Sequence, residues 1–503
     1  MRTARKSVIT LSVFIALTAF LMGCSSKSSS GLSTSSGGGP SPLPPGNTAT
    51  STSDPVAKPA TADAASNFFF FSYDDSASTA AVELVKYRLN HGTVPAASLA
   101  RPWEFLNFET FDQANPEPIG TFSVSMGIMS RPSDTPDVSG YHLGVSVQSP
   151  VVTLADRQNV VLTLVVDVSG SMDELSSSDV EVSSRKLEVV KYGLNQMAAA
   201  LKEGDIVNLV TFSDSSQIVL ENVAFSGVST GFIPAVNALE VISSTNLAAG
   251  LQSGYEVALR TFDQAKLNRV VIITDAYANV GEVDSTVISK NTRINEQEGI
   301  YFSGIGMGAD FNESFLNDLT EEGKGAYFAV ITNRDAKRAL QDRFISLVAV
   351  AARHVRFRLD YPAALTHAST ASEESSTVQQ DVKPTNFSYN THQYFYEVFN
   401  GPANLDSAGS FTLTITYTDP RTLQPVTETV SKTMGELQGL QENNIRDAET
   451  IFLCTQLIGN RMSWGTIDTI QKTYYAGYSS PLFTEYTDLM HKYTSLATPA
   501  AAP

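Results

Sequence analysis

Val160–Ser171 reads VVLTLVVDVSGS, an apolar, Val-rich run of strand length that ends in Asp167, Ser169 and Ser171 at alternate positions. A run with no polar face suits a parallel strand covered on both sides. The residues that follow repeat the theme. Leu187, Val190, Leu194, Met197 and Leu201 recur at spacings of three and four, the mark of a helix with one apolar stripe. Ile206–Phe212 reads as a second strand and Gln217–Leu220 as an edge strand. Ala248–Phe262 reads as a helix, Val270–Thr274 (VVIIT) as another buried strand, and Tyr301–Ile305 and Tyr327–Val330 as two more. Helical patterns include Phe315–Leu319, and Asp335–Val350 after the last strand. Alternation of this kind over about 190 residues predicts an α/β fold, a doubly wound and mostly parallel sheet. In such sheets ligands bind at the carboxyl ends of the strands.

That rule singles out five side chains. Asp167, Ser169 and Ser171 stand at the end of the first strand, Asp275 at the end of VVIIT, and Thr245 in the loop opening a helix. Two carboxylates and three hydroxyls are hard oxygen ligands, suited to Mg²⁺, with Mn²⁺ or Ca²⁺ as alternatives, rather than to a soft metal. A turn can aim alternate side chains at one point, and Gly170 permits it. With only two charged ligands, a bound ion would stay electrophilic and accept a further carboxylate from outside.

This segment resembles a von Willebrand factor A domain with a metal-ion-dependent adhesion site. The family pattern is Asp-x-Ser-x-Ser, a Thr roughly 70 residues on, and an Asp after a later strand. Asp167, Ser169, Ser171, Thr245 and Asp275 match it, and TNLAAGL and Asn279-Val280-Gly281 match bacterial members. Ser243-Ser244 replaces the usual Gly pair before the Thr, and Ala276 the common Gly after the Asp. A longer Ser/Asp loop, about Asp173 to Ser184, separates the motif from its helix. The resemblance implies a Rossmann-like fold and a protein partner bound through the ion by an Asp or Glu.

The flanks extend it. Asp74-Asp75-Ser76 opens a helical run through Leu84, Val85 and Leu89; with Trp103–Phe108 it is similar to the N-terminal segment of bacterial lipoproteins of this kind. Asp74 and Asp75 read as helix caps. Phe122–Met126, Tyr141–Val147, Val355–Leu359, Gln393–Phe399 and Phe411–Tyr417 alternate like half-buried strands, and Val426–Val430 can pair with them. They read as one antiparallel β domain built from both sides of an inserted α/β domain. Ile445–Leu457 and Ile467–Tyr493 read as closing helices.

The N-terminus is an address. Arg2, Arg5 and Lys6 precede an apolar run, Val8–Leu21, too short for a membrane span. It ends in Leu21-Met22-Gly23-Cys24, which resembles a lipobox with Cys24 as the lipidated residue. Serines at 25 and 26 resemble the enteric signal for the outer rather than the inner membrane. The expected organisation is a signal peptide over 1–23 and a disordered Ser/Gly/Pro-rich tether over 24–66. An N-terminal helix and β segment spans 67–156, and the von Willebrand factor A domain 157–351. A β domain over 352–434 completes the N-terminal strands, a helical segment covers 435–496, and a disordered tail 497–503.

Composition narrows function. The 503 residues carry 34 Lys+Arg against 52 Asp+Glu, a net −18. That disfavours nucleic-acid binding, which needs a basic face. Two cysteines, Cys24 and Cys454, exclude a disulfide scaffold, and six scattered histidines give no usual zinc spacing. Gly304–Gly308 reads as a tight turn, Cys454 as a buried thiol, Phe68–Phe71 as a core strand, and Asp173 and Glu174 as solvated charges. The reading is a non-enzymatic, lipid-anchored module of the bacterial envelope, binding protein for adhesion or assembly. The alternative is a metal-dependent hydrolase of the envelope.

Overall fold

The computed structural model describes residues 66–497 apart from 74, 113–115, 133–136, 178–183, 227–230, 243, 278–298 and 323–324. Cys24, the tether up to residue 65, Asp74, Ser243, Asn279-Val280-Gly281 and residues 498–503 lie outside the described residues. Everything described belongs to one unit, Lys58–Pro503.

The chain enters as strand β1 (Ser66–Ser72), with Phe69 and Phe71 buried. Helix α1 (Ala80–Asn90) starts later than Asp74–Ser76, because Thr79 occupies its N-cap position. Asp75 is therefore not a helix cap. Its Oδ1 accepts from Ala77 N–H at 2.9 Å, and Ser388 Oγ stands 3.4 Å away. Helix α2 (Pro102–Phe108) begins with a proline, whose missing N–H costs nothing at that position. Strands β2 (Glu117–Pro118), β3 (Ser123–Pro132) and β4 (Val138–Gln148) follow, β3 and β4 antiparallel.

The α/β layer comprises β5 (Val160–Asp167), α3 (Lys186–Met197), β6 (Ile206–Phe212), β7 (Ser216–Ala224), α4 (Phe232–Asn237), α5 (Leu247–Arg260), β8 (Leu267–Thr274), β9 (Ile300–Met307), α6 (Glu313–Glu322) and β10 (Ala326–Val330). Its sheet runs β10-β9-β8-β5-β6-β7; every pairing is parallel except the antiparallel edge strand β7. β5 is buried throughout because both faces are covered. Val160, Leu162, Leu164 and Val166 pack with Leu187, Val190 and Leu194 of α3, while Val165 joins the cluster that holds Leu247 and Leu251 of α5. Gly250 and Gly254 let α5 approach: a Cβ there would stand 2.5 Å from Phe212 and 2.4 Å from Val165. Gly304 and Gly306 lie inside β9, and only Gly308, at φ +89°, makes the turn.

The helix expected over Asp335–Val350 is broken into three. Thr332 and Asp335 close a capping box that starts α7 (Asn333–Lys337), a π-helical turn covers Arg338–Asp342, and α8 (Phe344–Val348) ends before Val350 opens the next strand. The widened turn shifts the side-chain register by one residue, yet Leu340, Phe344 and Leu347 stay buried.

Beyond it lie β11 (Val350–Pro362), β12 (Thr366–Thr370), β13 (Glu374–Ser376), β14 (Thr385–Ser388), β15 (His392–Pro402), β16 (Ser410–Thr418) and β17 (Pro425–Thr433). They form two sheets with the N-terminal strands: β13-β1-β11-β16-β17, with β14 on β11, and β12-β15-β4-β3-β2. Antiparallel β1–β11 and β4–β15 pairings join chain from before and after the α/β layer. β3 and β4 are more buried than their alternation predicted, because helix Glu442–Ile458 packs on them. The expected helix Ile467–Tyr493 is two helices, Trp464–Tyr474 and Pro481–Ala497, separated where Gly477 takes φ +82°. Cys454 is buried, and burial pushes its thiol up to about 12.

Candidate metal-binding site

Three loops at the carboxyl edge of the parallel sheet build the site. β5 delivers Asp167, and a single 3₁₀ turn, Gly170–Asp173, carries the next residues round, closed by Met172 N–H on Ser169 O at 3.0 Å. The buried Met172 anchors that turn. β8 delivers Asp275. The loop before α5 is tied down at both ends, by Ile242 N–H on Val168 O (2.8 Å) and Asn246 N–H on Ser213 O (2.6 Å). Thr245, buried, lies between those ties, and Asn246 caps α5 by accepting from Ala249 N–H. The five predicted residues thus lie on loops at one edge of the sheet.

The hydrogen bonds show how the oxygens are held. Asp167 is fully buried; its Oδ1 accepts from Ser169 N–H at 2.9 Å and its Oδ2 from Thr274 Oγ1 at 2.6 Å. The Ser169 and Ser171 hydroxyls lie 3.2 Å apart. Burial, and beyond it the charge of Asp275, push the Asp167 carboxyl up to about 6 against the lowering effect of its hydrogen bonds from Thr274 and Ser169. Asp275 is also fully buried. Its Oδ2 takes Lys186 Nζ at 3.1 Å, while its Oδ1 has no hydrogen-bond partner among the described residues. A buried carboxylate oxygen left without a donor is costly unless something positive meets it.

Lys186, the first residue of α3, is the member that sequence reading missed. Its side chain is buried, and Nζ lies 3.1 Å from Asp275, 3.2 Å from Asp310 and 3.5 Å from Glu174. Burial disfavours its charge, but Asp275 and Asp310 outweigh that and raise its pKa. Glu174 and Asp310 are more than half exposed. Thr274 was missed too, being read only as the end of a strand. The signal was present: a Thr closing an otherwise apolar strand beside a buried Asp has a hydroxyl to place. Asp173 pairs with Arg185, both exposed, as a solvated surface pair. Ala276 sits at φ +59°, the left-handed region that glycine occupies without strain.

The donor set fits a hard divalent ion. Among the described residues no group of three or more His, Cys, Asp and Glu is placed to hold a metal. The hydroxyls of Ser169, Ser171 and Thr245 would complete a ligand set begun by Asp167 and Asp275. Oxygen donors of mixed charge suit Mg²⁺, Mn²⁺ or Ca²⁺.

Comparison with known proteins names the class. Residues 162–278 match the family model of the von Willebrand factor type A domain, so the chain contains that domain. Among curated relatives, the uncharacterized protein YfbK of Escherichia coli is 27% identical over 201 residues, covering 40% of this chain and 33% of its own length. Human inter-alpha-trypsin inhibitor heavy chain H2 is 24% identical over 285 residues, 55% of this chain and 26% of its own. The chain thus spans about a third or less of these relatives. Among solved structures, the ArnB paralog VWA2 of Sulfolobus acidocaldarius covers 75% of this chain and 98% of its own, at 15% identity and TM-score 0.40.

Proposed function

We propose that this chain is a lipid-anchored, metal-dependent protein-binding module of the bacterial envelope, for adhesion or assembly, and not an enzyme. The observation that carries the reading is Asp275 Oδ1, buried and without a partner among the described residues, at the edge where Asp167, Ser169, Ser171 and Thr245 also stand. Those five residues would hold a divalent ion, Mg²⁺ by preference. When bound, such an ion supplies an electrophilic position able to take a carboxylate oxygen.

The chain's own residues do the rest. Thr274 and the Ser169 N–H fix both oxygens of Asp167, so its carboxylate needs no reorganisation. Lys186 fixes Asp275 through one oxygen and leaves the other for the ion. Ser171 is only half-buried. Large apolar side chains project from the same three loops: Leu175 is 56% exposed, Ile242 61% and Tyr277 46%. Apolar groups beside a polar anchor are the make-up of a protein-binding patch. The partner this suits presents an Asp or Glu flanked by apolar residues. The chain's −18 charge cannot recruit an acidic partner at long range, so recognition is short-range and metal-dependent. Attachment through Cys24 would place this surface on a tether at the membrane, outer in preference to inner.

The test is capture from envelope extracts with Mg²⁺, with EDTA, and at low and moderate salt. Capture that needs Mg²⁺ and changes little with salt supports the reading. Binding that ignores EDTA and collapses with salt would mean that the acidic surface makes the contact. Cys24→Ala should move the chain into the soluble fraction, and its retention in washed membranes would refute the anchor.

A further inference from the structure

A second polar cavity lies away from the metal edge, where three parts of the fold meet. It measures about 180 Å³. The N-terminal segment contributes Asn107 and Phe108, the end of the α/β layer Arg343 and Ile345, and the strand-opening residues of the β domain Thr391 and His392.

Its polar groups are not balanced. Arg343 sits between the π-helical turn and α8. Among the described residues its guanidinium makes one hydrogen bond, a long one of 3.4 Å from Nη1 to Thr79 Oγ1, and no ion pair. Burial, then the nearby Arg338, lower its pKa to about 10 despite the charges of Glu83 and Glu109. Those carboxylates are held elsewhere: Glu83 accepts from Ala329 N–H and Glu109 binds Lys86. Asp342, also in the lining, is exposed and paired with Lys337 at 2.7 Å. Asn107 is 5% exposed, and neither its amide nitrogen nor its amide oxygen has a partner among the described residues.

The hydroxyls around them are spent. Thr391 Oγ1 donates to Ser388 O, Ser346 Oγ to Arg343 O, and Ser76 Oγ lies 2.7 Å from Thr391 Oγ1. The polar groups left over are a guanidinium fork, a primary amide and His392 Nε2, which has no partner among the described residues and belongs to a ring that burial pushes down to about 4, hence neutral near pH 7. The Arg343 side chain is half-buried, lies 5.7 Å from the Phe108 ring, and keeps a planar fork that matches a carboxylate. One cation matches one negative charge. The cavity holds more than a single ion, since a water molecule's share is about 30 Å³, and Ile345 and Ala77 give an apolar wall, while the Phe108 ring is taken by Arg338 at 3.9 Å and Lys86 at 4.6 Å.

We propose that this cavity is a binding site for a small monocarboxylate, with Arg343 and Asn107 on the carboxylate and Ile345 and Ala77 against its alkyl part. The site joins the last helix of the α/β layer to both flanking segments, so its ligand would strengthen that junction.

The experiment is thermal melting of the full chain in metal-free buffer near neutral pH, with sodium acetate replacing sodium chloride at constant ionic strength. A ligand confined to the native state raises Tm with the logarithm of its concentration. Wild type should rise in acetate up to about 100 mM and stay level in chloride. Arg343→Gln should lose the rise. Asn107→Asp places a carboxylate beside Arg343 and should also lose it, from a starting Tm equal to or above wild type. Equal melting of wild type in the two salts overturns the proposal, as does a full acetate shift in Arg343→Gln. Should that variant not fold, a full shift in Asn107→Asp overturns it alone.

Discussion

Lys186→Met tests how the metal edge is balanced without an ion. Lys186 Nζ serves three carboxylates, of unequal worth. Glu174 and Asp310 are more than half exposed, and losing a partner costs such groups up to about 1 kcal/mol. Asp275 is fully buried, already has one oxygen without a partner, and would be left a buried charge with none. Removing one partner of a buried pair costs about 3–5 kcal/mol. Methionine fills the stem's volume, so little packing is lost. The metal-free variant should melt roughly 6–20 °C below wild type if the α/β layer unfolds as a unit, at about 2–4 °C per kcal/mol. A divalent ion at Asp275 would compensate the same charge, so its stabilising effect should be larger in Lys186→Met than in wild type. Adding Asp275→Asn removes the buried charge and should recover most of the loss. The assay is thermal melting of the four proteins of this double-mutant cycle, with and without Mg²⁺. An Mg²⁺ gain in Lys186→Met no larger than in wild type would refute the reasoning, as would additive losses in the cycle.

Two further outcomes follow from the same loops. Ala276→Gly relieves a left-handed alanine and should stabilise the protein by roughly 1 kcal/mol, read as a raised melting temperature; a lowered one would show that the buried methyl outweighs the strain. Asp167 holds its proton up to about pH 6 when folded, against about 3.9 when unfolded, so without metal its contribution to stability is lost as pH rises through about 6. An ion needs the ionised form, so the Mg²⁺-induced gain should shrink as pH falls through about 6, and a gain flat from about pH 5 to 8 would contradict this.

Much of the α/β layer was legible because its signal is local. Ile206–Phe212 falls on a strand with the same bounds, and the Val-rich runs at 160 and 270 could be little else. Their ends, read by the rule for parallel sheets, pointed to Asp167, Ser169, Ser171 and Asp275, and the loop opening a helix added Thr245. What was not legible depends on contacts distant in sequence. Lys186 reads as an ordinary residue opening a helix, and only the fold brings it to Asp275, 89 positions away. Asp75 reads as a cap until Thr79 takes that place. Asp335–Val350 has helical periodicity throughout, and nothing local announces a π turn followed by a strand at Val350. β3 and β4 alternate as half-buried strands should, and their second covering comes from a helix some 300 residues later.

Isothermal titration of the metal-free full chain with Mg²⁺ and Mn²⁺, on wild type, Asp167→Asn and Asp275→Asn, tests the central claim most directly. One site per chain in wild type, lost in both variants while their circular dichroism stays native, is the expected result. Unchanged one-site binding in folded Asp275→Asn, or none in wild type at ion concentrations of about 10 mM, where even weak sites near 10⁻³ M fill, would contradict it.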